Sequence, residues 1–278
     1  VAGPIANGIH HLTRAEYDAI DRMNFSRLKL LEKSPAHFKW ALDHPNTGDT
    51  EARMRGRAVA LALFEPDVFE QVAVWRGKSR RGDAWEYFVR RHPGDEHLTA
   101  EIYDLARAIA KAVRSNPQAS NLLKPGTRGE VSILWTHTAP AIPGWGEPYR
   151  FECKGRVDYL DQLAIVDLKN AIDVSPDGFG RAVATYSWHV QAAFYSDGVE
   201  AVTGRALPYF LLAVEPDPPF VAQVYAVPQW VIDLGRDTYR TWLDRLNICR
   251  QTDEWPGYAS SQLQLELPRW LTPDLIDG

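Results

Sequence analysis

Two short apolar runs dominate the middle of the chain, Phe151 to Leu160 and Leu163 to Ala171, and the polar pair Asp161-Gln162 separates them. Both are rich in β-branched residues, and that spacing predicts strand, tight turn, strand. A Ser-Pro-Asp-Gly break follows at 175–178. From Gly180 the pattern turns helical through Tyr195 and on to about Thr203. Upstream, Glu130 to Trp135 reads as another strand, with a Pro/Gly-rich hairpin loop from Thr136 to Pro148. Downstream, Leu207 to Glu215 and Phe220 to Val227 are strands joined by a Glu-Pro-Asp-Pro-Pro turn. Pro228 to Thr252 is a long helix with Trp230, Leu234, Trp242 and Leu246 on one side.

The first half of the chain is helical. Val1 to His11, with Gly3, Pro4, Asn7 and Gly8, reads as an unanchored arm. Thr13-Arg-Ala-Glu16 is a capping box opening a short helix. Ser26 starts a second helix with Leu28, Leu30 and Leu31 on its apolar side, and Ser34-Pro35 caps a third over Ala36–Asp43. Glu51 to Phe64 is helical, and its small residues around Gly56 predict close packing. Leu98 to Asn116 is amphipathic through Ile102, Leu105, Ile109 and Val113, and 117–129 reads as loop. The tail from Trp255 has little regular pattern. Neither a repeat nor a linker divides the chain. We read residues 1–23 as arm and short helix, and 24–278 as one domain with a helical part (24–128) and a sheet-and-helix part (129–278). The fold class is α/β, a central mixed sheet flanked by helices with extra N-terminal helices.

Composition narrows the class. The chain has 278 residues, 45% hydrophobic and 24% charged, the balance of a globular protein. Its net charge of −5 argues against broad coating of nucleic acid. Two cysteines, Cys153 and Cys249, build neither a disulfide framework nor a four-cysteine iron–sulfur site. With no leader pattern and no apolar run of membrane length, the expectation is a cytoplasmic protein with no membrane partner.

The chemistry lies in the central hairpin. Asp167 and Lys169 are two apart on a strand, so both leave one face. Such groups are costly to bury unless they pair or hold an ion. Asp158, on the partner strand, approaches Asp167 across the turn. Two converging carboxylates repel each other, and a divalent cation relieves the repulsion. A lysine beside the cation stabilises charge developing on a phosphate or on attacking water. Asp, about ten residues, Asp-x-Lys is thus the arrangement of a metal-dependent phosphodiesterase.

With these residues the stretch resembles the PD-(D/E)xK nucleases and, among them, the RecB-like branch, whose helical Gln-x-x-x-Tyr fits Gln191-Ala-Ala-Phe-Tyr195. It is most similar to the exonuclease VIII type of prophage recombination exonuclease. The similarity rests on Tyr186-Ser-Trp-His189-Val-Gln191-Ala-Ala-Phe-Tyr195-Ser-Asp-Gly198, Thr252-Asp-Glu-Trp-Pro256 and Leu267-Pro-Arg-Trp270, and it runs from about Asn24 to Trp270. The resemblance implies one or two Mg²⁺ (or Mn²⁺) ions and no iron–sulfur cluster. It gives the ligands as Asp158, Asp167, the Leu168 main-chain carbonyl and Glu130. Lys169 is the catalytic lysine, and Gln191 and Tyr195 contact a ligand or a phosphate. The basic segment from Trp75 to His92 matches a region where the family has an Arg-Arg pair. Arg80 and Arg81, with Arg76 and Lys78, are therefore the candidates for DNA phosphate. The implied reaction is 5′-to-3′ resection of double-stranded DNA ends for recombination. A ring-shaped homo-oligomer such as a tetramer and a single-strand annealing protein are the implied partners.

One position departs from the pattern. The branch places a metal-ligating His four residues after the glycine matched by Gly56, and this chain has Ala60. Three alternatives therefore stand beside the exonuclease: an endonuclease or single-strand-specific nuclease of the same fold, a catalytically impaired DNA-binding or structural relative, and a plain α/β domain with a satisfied Asp–Lys pair. His37 reads as a packing or surface residue, and His137, in the 136–148 loop, is not read as a ligand.

Overall fold

The computed structural model describes residues 5–44, 50–93, 96–124, 129–144, 147–259 and 261–266. In chain order the strands are β1 (Gly8–His10), β2 (Ala73–Trp75), β3 (His97–Thr99), β4 (Gly129–Ala139), β5 (Tyr149–Leu160), β6 (Ile165–Asn170), β7 (Tyr209–Val214) and β8 (Ala222–Ala226). The helices are α1 (Arg14–Ala19), α2 (Phe25–Leu28), α3 (Pro35–Asp43), α4 (Glu51–Phe64), α5 (Pro66–Phe69), α6 (Asp83–Arg91), α7 (Ala100–Ser115), α8 (Pro117–Leu122), α9 (Pro176–Thr185), α10 (Trp188–Thr203) and α11 (Gln229–Thr252). A 3₁₀ turn, Lys29–Glu32, joins α2 to α3.

Six strands form one sheet in the order β1-β4-β5-β6-β7-β8. All neighbours are antiparallel except β6 and β7, which α9 and α10 connect in parallel. The mixed sheet expected from the sequence is therefore present. One face packs on α10, α11 and the N-terminal α2–α3 segment through Ile133, Phe194, Leu243, Leu28 and Phe38. The other packs on α4 and α7 through Val59, Ile109, Val166 and Leu212. Burying both faces explains why β7 reads as a nearly continuous apolar run.

Several expectations are corrected. Part of the supposed arm is strand: Gly8, Ile9 and His10 pair with Leu134, Ile133 and Ser132. The second helix is a single turn, Phe25–Leu28, that tightens into the 3₁₀ segment. The loop expected after α7 contains α8, because Asn116 accepts from the Gln118 and Ala119 amides and Pro117 sits at its first position. Strand β4 continues to Ala139, so His137 is a strand residue packed edge-on to Tyr239. The helix read as unbroken from Gly180 is two helices, parted by Ser187 in the left-handed region (φ 56°). On α11 the buried stripe is Ile232, Gly235, Tyr239, Trp242 and Leu246, while Trp230 and Leu234 are exposed. The Thr13 capping box, the Ser34-Pro35 start and the bounds of α4 are as expected. Leu267-Pro-Arg-Trp270 lies outside the described residues.

Candidate active site

The site forms where β5 and β6 stop pairing. Tyr159 faces Val166 and Leu160 faces Ile165. One step further along that register sets Asp158 against Asp167, and there the ladder gives way to a side-chain bond: the Leu168 amide donates to Asp158 Oδ2 at 2.6 Å. Asp167 is 3% exposed and Lys169 8%. The Lys169 ammonium is ion-paired with Asp167 Oδ2 and also donates to Gln191 Oε1 at 2.9 Å. Gln191 Nε2 donates in turn to the Tyr195 hydroxyl at 3.2 Å. Four residues expected from two successive motifs therefore form one chain, Asp167–Lys169–Gln191–Tyr195. Gln191 and Tyr195 share a helix face one turn apart.

The kink before α10 aims that face. Lys29 Nζ donates to the Tyr186 carbonyl at 2.7 Å, and the Ser187 hydroxyl donates to the Glu32 carboxylate at 3.1 Å. The N-terminal segment thus fixes the angle at which α10 meets the sheet. Trp188, the first residue of α10, sets its ring 5.5 Å from the Lys169 ammonium. Sequence reasoning gave no role to Trp188 or to Tyr209, although Trp188 stands inside the quoted motif.

The electrostatics follow from burial. Asp158 is held well above the ordinary carboxylate range, first by burial, then by the charges of Asp167 and Glu130, against the pull of Lys169. Tyr195 and Tyr209 are pushed up by burial first; for Tyr209 the Asp167 charge is next.

Glu130 opens β4 in the left-handed region (φ 54°), close enough to act on Asp158. Its carboxylate is ion-paired with Arg156. Among the described residues no three His, Cys, Asp or Glu side chains gather as a metal-binding group. The donor set still fits a hard cation. Asp158 and Asp167 supply opposed carboxylate oxygens, and oxygen-only donors suit Mg²⁺ or Mn²⁺. Ala60 is 5% exposed and packs in the cluster with Tyr159 and Val166, so its methyl offers no donor.

Arg76, Lys78, Arg80 and Arg81 are all exposed, between β2 and α6. One contact ties this segment to α4. Arg80 Nη1 lies 2.9 Å from Met54 Sδ on α4. Two residues on, a Cβ at Gly56 would lie 3.7 Å from Asn170 Nδ2, and Asn170 follows Lys169. Cys153 and Cys249 are buried free thiols, and His37 bonds to Ser34 Oγ at 2.7 Å.

A mixed sheet whose central hairpin opposes Asp to Asp-x-Lys, backed by a helical Gln-x-x-x-Tyr, is the core of the PD-(D/E)xK nuclease superfamily. Comparison with known proteins agrees. The chain belongs to the family described as "PDDEXK-like domain of unknown function" (DUF3799), whose profile matches residues 24–265. Among solved structures it is similar to a "putative exonuclease" from Eubacterium rectale, with a TM-score of 0.57, 14% identity and coverage of 93% of this chain and 96% of the other. That likeness is one of fold. The structure of SSO0001 overlaps at a TM-score of 0.27 and 12% identity, over 70% of this chain and 88% of that one, and carries no argument. No curated protein matches the sequence. No helix among the described residues is long and apolar enough to cross a membrane.

Proposed function

We propose that this protein is a metal-dependent DNA nuclease and, within that class, an exonuclease resecting linear double-stranded DNA from its 5′ ends. One observation carries the nuclease reading: Asp158 stands opposite Asp167, and Lys169, ion-paired with Asp167, is braced by Gln191 and Tyr195. Asp158, Asp167 and the Leu168 carbonyl would hold the cation, with Glu130 joining them on leaving Arg156. A bound Mg²⁺ or Mn²⁺ supplies Lewis acidity toward the phosphate and a more acidic water. Lys169 offers a positive charge to the phosphate and orients the attacking water, while Gln191 keeps its ammonium from turning away. The 5′ polarity, the ring-shaped homo-oligomer and the annealing-protein partner rest on the sequence resemblance.

A second reading, a catalytically impaired DNA-binding relative, is favoured by two observations: the buried methyl at Ala60 and the engagement of Glu130 by Arg156. Linear duplex DNA labelled at its 5′ or 3′ end, incubated with Mg²⁺, Mn²⁺ or EDTA, separates the two. Metal-dependent release of 5′ label by the parent, lost in Lys169→Ala, is the expected result. Cleavage by Ala60→His alone would establish the impaired reading. Cutting of closed circular DNA would make the enzyme an endonuclease.

A further inference from the structure

Helix α6 is amphipathic, yet none of its nine residues is buried. Its apolar side, Trp85 and Phe88, meets Trp75 of β2 and His97 of β3 in a half-exposed aromatic cluster. The Trp75 and Trp85 rings are 5.5 Å apart, edge to face, and Trp85 lies 5.7 Å from Phe88, stacked. A cluster of this kind away from the core either packs a small subdomain or presents π-faces to a ligand.

The loop after β2 decides between these. The Trp75 indole N–H donates to the Ser79 carbonyl at 3.1 Å. Gly77 lies against the same ring: a Cβ there would fall 2.1 Å from Trp75 Cζ2, so a larger residue would displace the indole. Trp75 is thus a peg around which residues 76–79 wind, with Arg76, Lys78 and Arg81 facing solvent. The Arg80 guanidinium lies 4.9 Å from the Trp85 ring centre, over its face. From Arg76 to Arg91 there are six basic residues and two acidic ones, in a chain of net charge −5. Cations concentrated on a preformed loop beside stacked aromatic rings match a flexible polyanion with π-faces, which is an unpaired nucleic-acid strand.

We propose that the Trp75-pegged loop and the Arg80–Trp85 stack bind the unpaired strand of the DNA. Arg76, Lys78 and Arg81 meet its phosphates. A base extends the stack on the Arg80–Trp85 pair, since guanidinium planes and indole rings both stack on bases. The proposal rests on DNA being the substrate and adds which form of it this surface holds.

The test is equilibrium binding of fluorescent oligothymidylate to the parent chain in EDTA, so that no cleavage is needed. The same strand with abasic sites, and a blunt duplex of equal length, run beside it. The parent should prefer the intact strand to the abasic strand by about tenfold, the size expected of one stacked base. Arg80→Lys keeps the charge and the fold but loses the plane. It should erase most of that preference while leaving the salt dependence unchanged. Arg81→Ala should keep the preference and make the salt dependence shallower. A parent that binds intact and abasic strands alike, an Arg80→Lys variant that keeps the full preference, or a duplex bound as tightly as the single strand would each overturn the proposal. Cleavage without strand preference would leave the nuclease reading standing and remove this one. Strand preference without cleavage would do the reverse.

Discussion

Lys154 carries its side chain into a place water does not reach. It is 2% exposed on β5, donates to the Tyr17 and Ile20 carbonyls at 2.7 Å each, and lies 4.4 Å from the centre of the Tyr17 ring. It pins α1 to the sheet four residues before Asp158. Burial, the main cause, draws its pKa down from 10.5 to about 8. The unfolded chain therefore binds more protons than the folded one between those values. Lys154 thus costs stability below about pH 8, and that cost disappears as pH rises toward 10.5. The neutral amine still has N–H groups for both carbonyls. Compared with Lys154→Met, the parent should gain thermal stability from pH 8 to pH 10; a parent that gains none relative to the variant would contradict this assignment. Residues of this kind mark the limit of what a sequence tells. Asp158, Asp167 and Lys169 were legible because they converge through one local hairpin. Gln191 and Tyr195 were legible because their motif follows it closely. The partners of Lys154 are main-chain carbonyls more than a hundred residues away, which leave no side-chain pattern. Arg156, which holds Glu130, escaped notice for a related reason: its role appears only once β4 lies beside β5.

Elements obey the same limit at a larger size. Long helices announced themselves by period and caps, so α4, α7 and α11 were found to within a few residues. The pieces that escaped are short or depend on distant partners. Three-residue strands such as β1, β2 and β3 carry too few positions to alternate. The break between α9 and α10 needs a left-handed serine held by Glu32, far away in sequence. That break lets α10 pass tightly under α11, and Gly235 is where they touch. A Cβ there would fall 2.3 Å from the His189 carbonyl oxygen and 3.0 Å from Val190 Cα, both backbone atoms of α10. Gly235→Ala must push the helices apart, although alanine is the better helix former. Overpacking of this kind costs roughly 1–3 kcal/mol. The urea midpoint should fall by that free energy divided by the slope, with the slope unchanged, and nuclease activity should fall with it, because His189 lies two residues before Gln191. A midpoint at or above the parent's would mean that α11 yields freely and does not set the position of α10.

At the scale of the whole molecule, charge is divided. The net charge is negative, the site between β5 and β6 sets Asp158 beside the buried Asp167, and a local excess of positive charge sits on the loop and helix from Arg76 to Arg91. That division suits a protein that draws DNA to one place and a cation to another. A cation held there would also matter for stability. The folded chain sets Asp158 against Asp167, whereas the unfolded chain keeps them apart, so a divalent ion at this site favours the folded state. At a concentration near 100 times its dissociation constant, such an ion stabilises by about 2.7 kcal/mol. For a domain of this size that raises Tm by roughly 5–10 °C. Mg²⁺ or Mn²⁺ should therefore raise the parent's Tm in the absence of DNA, EDTA should reverse the rise, and Asp167→Asn should abolish it. An equal rise in Asp167→Asn would place the ion elsewhere and remove the basis of the proposed chemistry. A rise that appears only in Ala60→His would show that the hairpin carboxylates do not hold the ion alone, and that the buried methyl of Ala60 is what separates this chain from a metal-loaded nuclease.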